Sequence, residues 1–283
     1  MSTSEVLVLG AVAGLTIFIG LPIGRWHASR RGVTTLLTAT AVGILTFLLI
    51  DVFASAAEPV EDALNAAAHH GGSTLRAGGL CLVFAAGLVA GLMTLVYYDR
   101  WRAAGLARLS RGPGAAAITD FPGAGAKVNV VAPAQRLATL IAIGIGFHNF
   151  SEGLAIGQSA ATGEVALATL LVIGFGLHNA TEGFGIVAPL SAVDAKPSWR
   201  LLLALGVIGG APTFVGTLVG NSFVNDYLFV GFLTVAGGSI LYVVVELLAV
   251  LRRLGSRDLV AWGLILGLLL GFATDFIVGV AGA

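Results

Sequence analysis

Two short stretches of the chain carry residues able to do chemistry: HNFSEG, which begins at His148, and HNATEG, which begins at His178. Each sets an imidazole, an amide and a carboxylate close together: His148, Asn149 and Glu152 in the first, His178, Asn179 and Glu182 in the second. On a helix turning about 100° per residue, Asn149 lies about 100° round from His148 and Glu152 about 40° from it, so each trio shares one arc. If the two arcs face each other, two imidazoles and two carboxylates converge. That set suits a divalent transition metal. Neutral imidazole nitrogen and carboxylate oxygen both bind Zn²⁺ at about 2.0–2.2 Å, commonly four at a time. Two carboxylates offset the charge of a 2+ ion where the dielectric is low, and the asparagine carbonyls are further oxygen donors of a harder type.

The elements that must position these residues are membrane helices. The chain has 283 residues, 57% hydrophobic and 11% charged, against about 25% charged in an average soluble domain. Eight apolar segments can be marked off, at roughly 4–23, 33–56, 78–98, 133–158, 164–190, 200–222, 228–252 and 259–282, each long enough to cross a bilayer. Helices are expected because every backbone polar group in lipid needs an internal partner. The fold class is therefore all-α and polytopic, one transmembrane domain over 1–283. The start MSTSEVLVLG lacks the basic opening of a secretory signal, and the first apolar run reads as a retained span. Net charge is zero, which leaves no nucleic-acid footprint. The single cysteine, Cys81, excludes an internal disulfide framework and reads as a small buried hydrophobe.

Basic residues set the orientation. The loops after spans one, three, five and seven, with Arg136 just inside span four, hold 14 of the 15 Lys and Arg residues; the other side keeps only Arg76. Positive-inside bias puts the basic loops in the cytoplasm, and an even span count then leaves both termini outside. The long cytoplasmic segment, about 99–132, contains SRGPGAAAITDFPGAGAK and reads as a flexible linker. The outer loop at about 57–77 carries Glu58, Glu61, Asp62, His69 and His70, either an ordinary solvated loop or a gatherer of cations at the mouth. Glycines four apart, such as Gly87 and Gly91, Gly153 and Gly157, Gly206 and Gly210, and Gly216 and Gly220, are read as helix-packing surface.

The candidate ionisable residues within spans are Asp51, His148, Glu152, His178, Glu182, Glu246 and Asp275. Each costs at least about 2.5–3.5 kcal/mol near the bilayer centre on insertion scales, so each needs a reason. His148 lies about 22 Å into an outward-running span and His178 about 21 Å into the returning one, matching depths near mid-membrane. A single copy could be hydrogen-bonding glue between helices; two at one depth point to a buried cation site, where a transporter holds its substrate. NFS and NAT match the glycosylation sequon but are inaccessible at that depth, and neither stretch has the second histidine of HExxH. Asp51 and Asp275 fall toward the outside. Asp51 is a candidate for the route into the site; both could instead hydrogen-bond a neighbouring helix.

The chain as a whole resembles the ZIP (Zrt/Irt-like) family of divalent metal transporters, in its eight spans, its long loop after span three and its signatures in spans four and five. The family's span-four motif is close to HNxPEG and its span-five motif ends in PEG. The resemblance implies a ZIP-like bundle with metal ligands His148, Asn149, Glu152, His178, Asn179 and Glu182. It also implies that Glu246, in LYVVVELL of span seven, helps metal leave toward the cytoplasm, although Glu246 alone could equally pair with Arg252 or Arg253. There are departures. Ser151 and Thr181 stand where the family has proline, which puts the kinks in question. Ala211 stands before Pro212, where members with a two-metal centre carry a glutamate, so one metal is expected with His148, Glu152, His178 and Glu182 as its core. The cytoplasmic loop lacks the histidines of many relatives, and arginine has no lone pair with which to store metal.

The expected activity is transport, not catalysis: movement of Zn²⁺, with Fe²⁺, Mn²⁺ and Cd²⁺ as alternatives, toward the cytoplasm by alternating access. Expected partners are the metal ion as substrate, the lipid bilayer of the cell (cytoplasmic or inner) membrane and a second copy in a homodimer. Two readings compete. A membrane metalloenzyme such as a di-metal carboxylate oxidase needs further ligands, for example ExxH pairs, and the sequence has none. A non-transporting metal sensor is separated from a transporter by metal flux.

Overall fold

The computed structural model describes residues 2–25, 31–109, 131–163, 165–193, 196–222, 225–254 and 256–280. Among them the ordered elements are helices. Helix α1 (Thr3–Leu15) opens with a capping box in which the Ser2 hydroxyl accepts from the Glu5 amide while the Glu5 carboxylate accepts from the Ser2 amide. It breaks at Thr16 and continues as a short helix, Ile17–Gly20, and a 3₁₀ turn, Leu21–Arg25. There follow α2 (Arg31–His69), α3 (Thr74–Leu109), α4 (Val131–Ala161), α5 (Val165–Ala192), α6 (Trp199–Ser222), α7 (Asp226–Leu254) and α8 (Arg257–Val280). Eight helical segments among the described residues are long and apolar enough to cross a membrane, matching the eight expected.

Two boundaries differ from expectation. The outer loop expected at about 57–77 is largely helical, because α2 runs on through Pro59 to His69. An apolar stripe explains this: Val60 and Ala63 bury against Ala77, Leu80 and Val230, while Glu58, Glu61 and Asp62 face outward. The helix then ends at Gly71, whose φ of 65° is left-handed and whose neighbour Gly72 donates back to the Ala66 carbonyl. The linker expected at about 99–132 begins as helix, since α3 continues to Leu109. Its remainder, 110–130, lies outside the described residues. Arg136 at the start of α4 pairs with the Asp99 carboxylate of α3 and donates to the Asp99 carbonyl at 2.8 Å.

The helices sort into two groups by how closely their backbones approach. In one, α4 lies on α6, α1 on α6 and α5. The contact faces are glycine: a Cβ added at Gly153 or Gly157 would run into the main chain of Thr213 or Thr217, one at Gly216 or Gly220 into that of Phe150 or Leu154, and one at Gly183 into that of Ile17. In the other, α2 lies on α8 and α3 on α7, with Gly43 and Gly267 against each other and Gly91 against Val235. Of these, Gly91, Gly153, Gly157, Gly216 and Gly220 belong to the pairs read from the four-residue spacing. Between the groups the approach is looser and made by side chains: Gly144 of α4 faces Val243 of α7, and Gly185 of α5 faces Ala41 of α2. The shared core there is branched and apolar, with Leu45 and Leu48 of α2, Leu140 and Ile141 of α4, and Ile240 and Val243 of α7.

Candidate metal centre

Helices α4 and α5 form a hairpin whose turn uses Gly163 at a φ of 86°, a conformation glycine adopts without strain. His148 lies thirteen residues before the end of α4 at Ala161, and His178 thirteen residues after the start of α5 at Val165. At 1.5 Å rise per residue both imidazoles stand about 20 Å from the turn, at one height. The two motif faces meet. His148, Glu152 and His178 each offer a ligand atom within 4.8 Å of the others, and all three are buried. His148 Nε2 stands 2.9 Å from Glu152 Oε1 and 3.8 Å from Glu182 Oε1, and His178 Nε2 contacts the same Glu152 oxygen. Donor atoms held about 2.1 Å from one tetrahedral ion lie about 3.4 Å apart, which the two His148 separations bracket.

The hydrogen-bond inventory points the same way. Glu152 Oε2, both Glu182 oxygens, the Oδ1 atoms of Asn149 and Asn179 and both ring nitrogens of His148 are buried with no hydrogen-bond partner. His148 Nε2 and Glu152 Oε1, 2.9 Å apart, sit together within this buried cluster. Buried acceptors without donors cost about 1–3 kcal/mol each, more when charged. One divalent cation satisfies several of them at once.

Both copies are built alike around this point. The Ser151 hydroxyl donates to the His148 carbonyl and the Thr181 hydroxyl to the His178 carbonyl, each at 2.6 Å. Back-bonding of this kind is one local cause of helix bending. The Asn149 amide donates to the Gly209 carbonyl of α6 at 2.9 Å, and the Asn179 amide to the Ala13 carbonyl of α1 at 3.2 Å. Sequence reading missed these four bonds. The hydroxyls had a signal, a Ser or Thr three residues after histidine in both copies; the two carbonyl acceptors had none, because they lie 60 and 166 residues away.

A family model for the ZIP zinc transporters matches residues 122–279, more than half of the chain and inclusive of both motifs. The chain belongs to the ZIP family. Membership supports divalent metal transport, and with eight apolar helices this ZIP protein is a multi-pass membrane protein. A search of curated proteins finds no match.

The remaining expected residues of this ZIP protein, Asp51 and Glu246, lie on α2 and α7. Asp51, half-buried on α2, is within electrostatic reach of His148, His178, Glu152 and Asp275. Glu246 is half-buried on α7; Tyr242, one turn earlier, is within electrostatic reach of Glu246, Asp99 and Arg136. Ala211 lines an apolar recess with Phe147, Phe150 and Phe232.

Proposed function

We propose that this ZIP protein carries one divalent transition metal at a time, Zn²⁺ before Fe²⁺, Mn²⁺ or Cd²⁺, toward the cytoplasm. The observation that carries the proposal is the meeting of two imidazoles and two carboxylates, buried at one height on neighbouring antiparallel helices. His148, Glu152, His178 and Glu182 form the core of the site, with Asn149 and Asn179 as secondary oxygen donors. Mixed nitrogen and oxygen donors suit Zn²⁺, and intrinsic affinity order alone does not fix the biological choice.

Alternating access requires the centre to face each side in turn. The glycine-welded group of α1, α4, α5 and α6 holds the ion, and the looser side-chain interface with α2, α3, α7 and α8 is where sliding costs least. The ion approaches past Asp51 and leaves past Glu246. The basic loops support the orientation: cytoplasmic placement of 14 of 15 Lys and Arg residues puts Glu246 toward the cell interior and Asp51 toward the outside. One domain over the whole chain, a cytoplasmic-membrane location and a homodimer complete the reading; α3 and α8 expose apolar side chains such as Leu82, Val89, Trp262 and Leu269 outward, as lipid or subunit contact requires.

The test is ⁶⁵Zn uptake into proteoliposomes. Wild-type protein takes up zinc down an imposed gradient, and Glu152→Ala abolishes uptake while remaining folded. Zinc binding without flux by the wild type would favour the sensor reading instead.

A further inference from the structure

We propose that the apolar recess between α4, α6 and α7 is a binding site for one acyl chain of a bilayer phospholipid, seated against the helix that carries His148. The proposal stands on the membrane-spanning helices alone and goes beyond metal transport.

Helix α4 lies against both α6 and α7, yet α6 and α7, consecutive in the chain, make no extended contact with each other among the described residues. A trough is left between them. Its volume is about 620 Å³, within the roughly 300–1,000 Å³ of ordinary ligand pockets. Phe147 and Phe150 line it from α4, Val207, Ala211 and Val215 from α6, and Phe232 from α7. The Phe150 and Phe232 rings pack together with centroids 4.6 Å apart, which ties one side of the trough to the other. Gly146 and Ala211, with at most one side-chain carbon each, leave the space between the rings and α6.

Depth and chemistry select the occupant. Val207 and Val215 lie about 12 and 24 Å along α6 from its start at Trp199, in the middle of a helix about 36 Å long. The trough therefore opens into the hydrocarbon layer, about 30 Å thick. Among the described residues no polar side chain lines it. Pro212 deprives the Ile208 carbonyl of its helical donor, but that oxygen rests against Gly146, where an added Cβ would meet it at 2.5 Å. Water needs two to four polar partners and finds none; a sterol hydroxyl at this depth would also go unpaired. An acyl chain needs no partner, and its polar head stays at the membrane surface. The way in is apolar and outward-facing: Phe147 of α4 and Leu203, Val207, Phe214, Val215 and Leu218 of α6 are exposed. The trough is thus continuous with the lipid-facing side of α6, and the surrounding bilayer presents acyl chains chiefly as phospholipid. A chain seated there gives Phe147 and Phe150 close dispersion contacts on the side they turn to the bilayer.

The test places the whole protein in phosphatidylcholine nanodiscs holding a small fraction of phosphatidylcholine with a diazirine midway along one acyl chain. After irradiation, mass spectrometry of peptides locates the label. The exposed residues Trp262 and Leu269 of α8 report ordinary boundary lipid. Labelling of Phe147, Ala211 and Phe232 is expected at about fivefold or more that of the α8 pair. Ala211→Phe and Val215→Phe each fill the trough from α6, and each is expected to cut labelling of Phe147 and Phe232 by threefold or more with α8 unchanged; either variant suffices should the other fail to fold. Labelling no stronger than on α8 would overturn the proposal, as would enrichment that the filled variants retain. Stronger labelling by an equal amount of free fatty acid carrying the same diazirine would overturn the phospholipid assignment. An unlabelled trough whose Phe147→Cys variant cross-links between copies would give the face to a second chain instead. The labelling needs no metal, so a wild type without zinc uptake leaves this inference standing, and failed labelling leaves the transport reading standing.

Discussion

His148 of α4 and His178 of α5 meet on a single oxygen, Glu152 Oε1, which lies 2.9 Å from His148 Nε2 and in contact with His178 Nε2. The carboxylate that belongs to one motif thus binds the two motifs into one centre. Glu152→Gln keeps the shape and removes the charge. We expect zinc affinity to fall roughly 100-fold or more, since outer-sphere partners of metal ligands alone account for 10–100-fold. Isothermal titration of the purified variant checks this, and an affinity within threefold of wild type would take Glu152 out of the centre.

Replacing either imidazole leaves mainly oxygen donors. Oxygen-rich sites favour harder ions. His178→Ala is therefore expected to lose more affinity for Zn²⁺ than for Mn²⁺, shifting their ratio toward Mn²⁺ by roughly tenfold. Competition of each ion against ⁶⁵Zn binding reads the ratio; equal losses for the two ions would show that the imidazole does not select.

Metal binds imidazole only when the ring is unprotonated. For each ring proton that the metal must displace, apparent affinity falls about tenfold per pH unit as the pH is lowered. Uptake at low metal concentration should therefore decline as the pH is lowered on the metal-facing side, with the half-saturating concentration rising. A half-saturating concentration unchanged between pH 5 and pH 8 would contradict histidine ligation.

The glycine contacts predict where a methyl group is tolerated. A Cβ at Gly153 would strike the Thr213 carbonyl, whereas one at Gly78 meets nothing within 4 Å. Gly153→Ala should cost about 1–3 kcal/mol as an overpacked helix contact. Gly78→Ala should be neutral or stabilise by a few tenths of a kcal/mol to about 1 kcal/mol through helix propensity. Thermal unfolding in one detergent compares them directly, and equal midpoints would show that α4 and α6 are not held by backbone contact.

Much of this was legible before any coordinates. Apolar run length fixes the eight spans because lipid forces backbone bonding within each segment. Repetition of His, Asn and Glu at one depth marks the centre because isolated ionisable groups are too costly there. What escaped was set by partners distant in sequence or by local stripes weaker than the loop signal. The extension of α2 to His69 depends on Val60 and Ala63 finding Leu80 and Val230. The Asn149 and Asn179 bonds end on carbonyls of Gly209 and Ala13, groups every residue carries and no side chain announces. Ser151 and Thr181 looked like lost kinks, yet their hydroxyls return to the His148 and His178 carbonyls.

Crystals grown with Cd²⁺ or Zn²⁺, measured for anomalous scattering, test the central claim most directly. One peak is expected, within about 2.0–2.5 Å of donor atoms of His148, Glu152, His178 and Glu182. A peak coordinated elsewhere, with those four side chains turned apart, would contradict it.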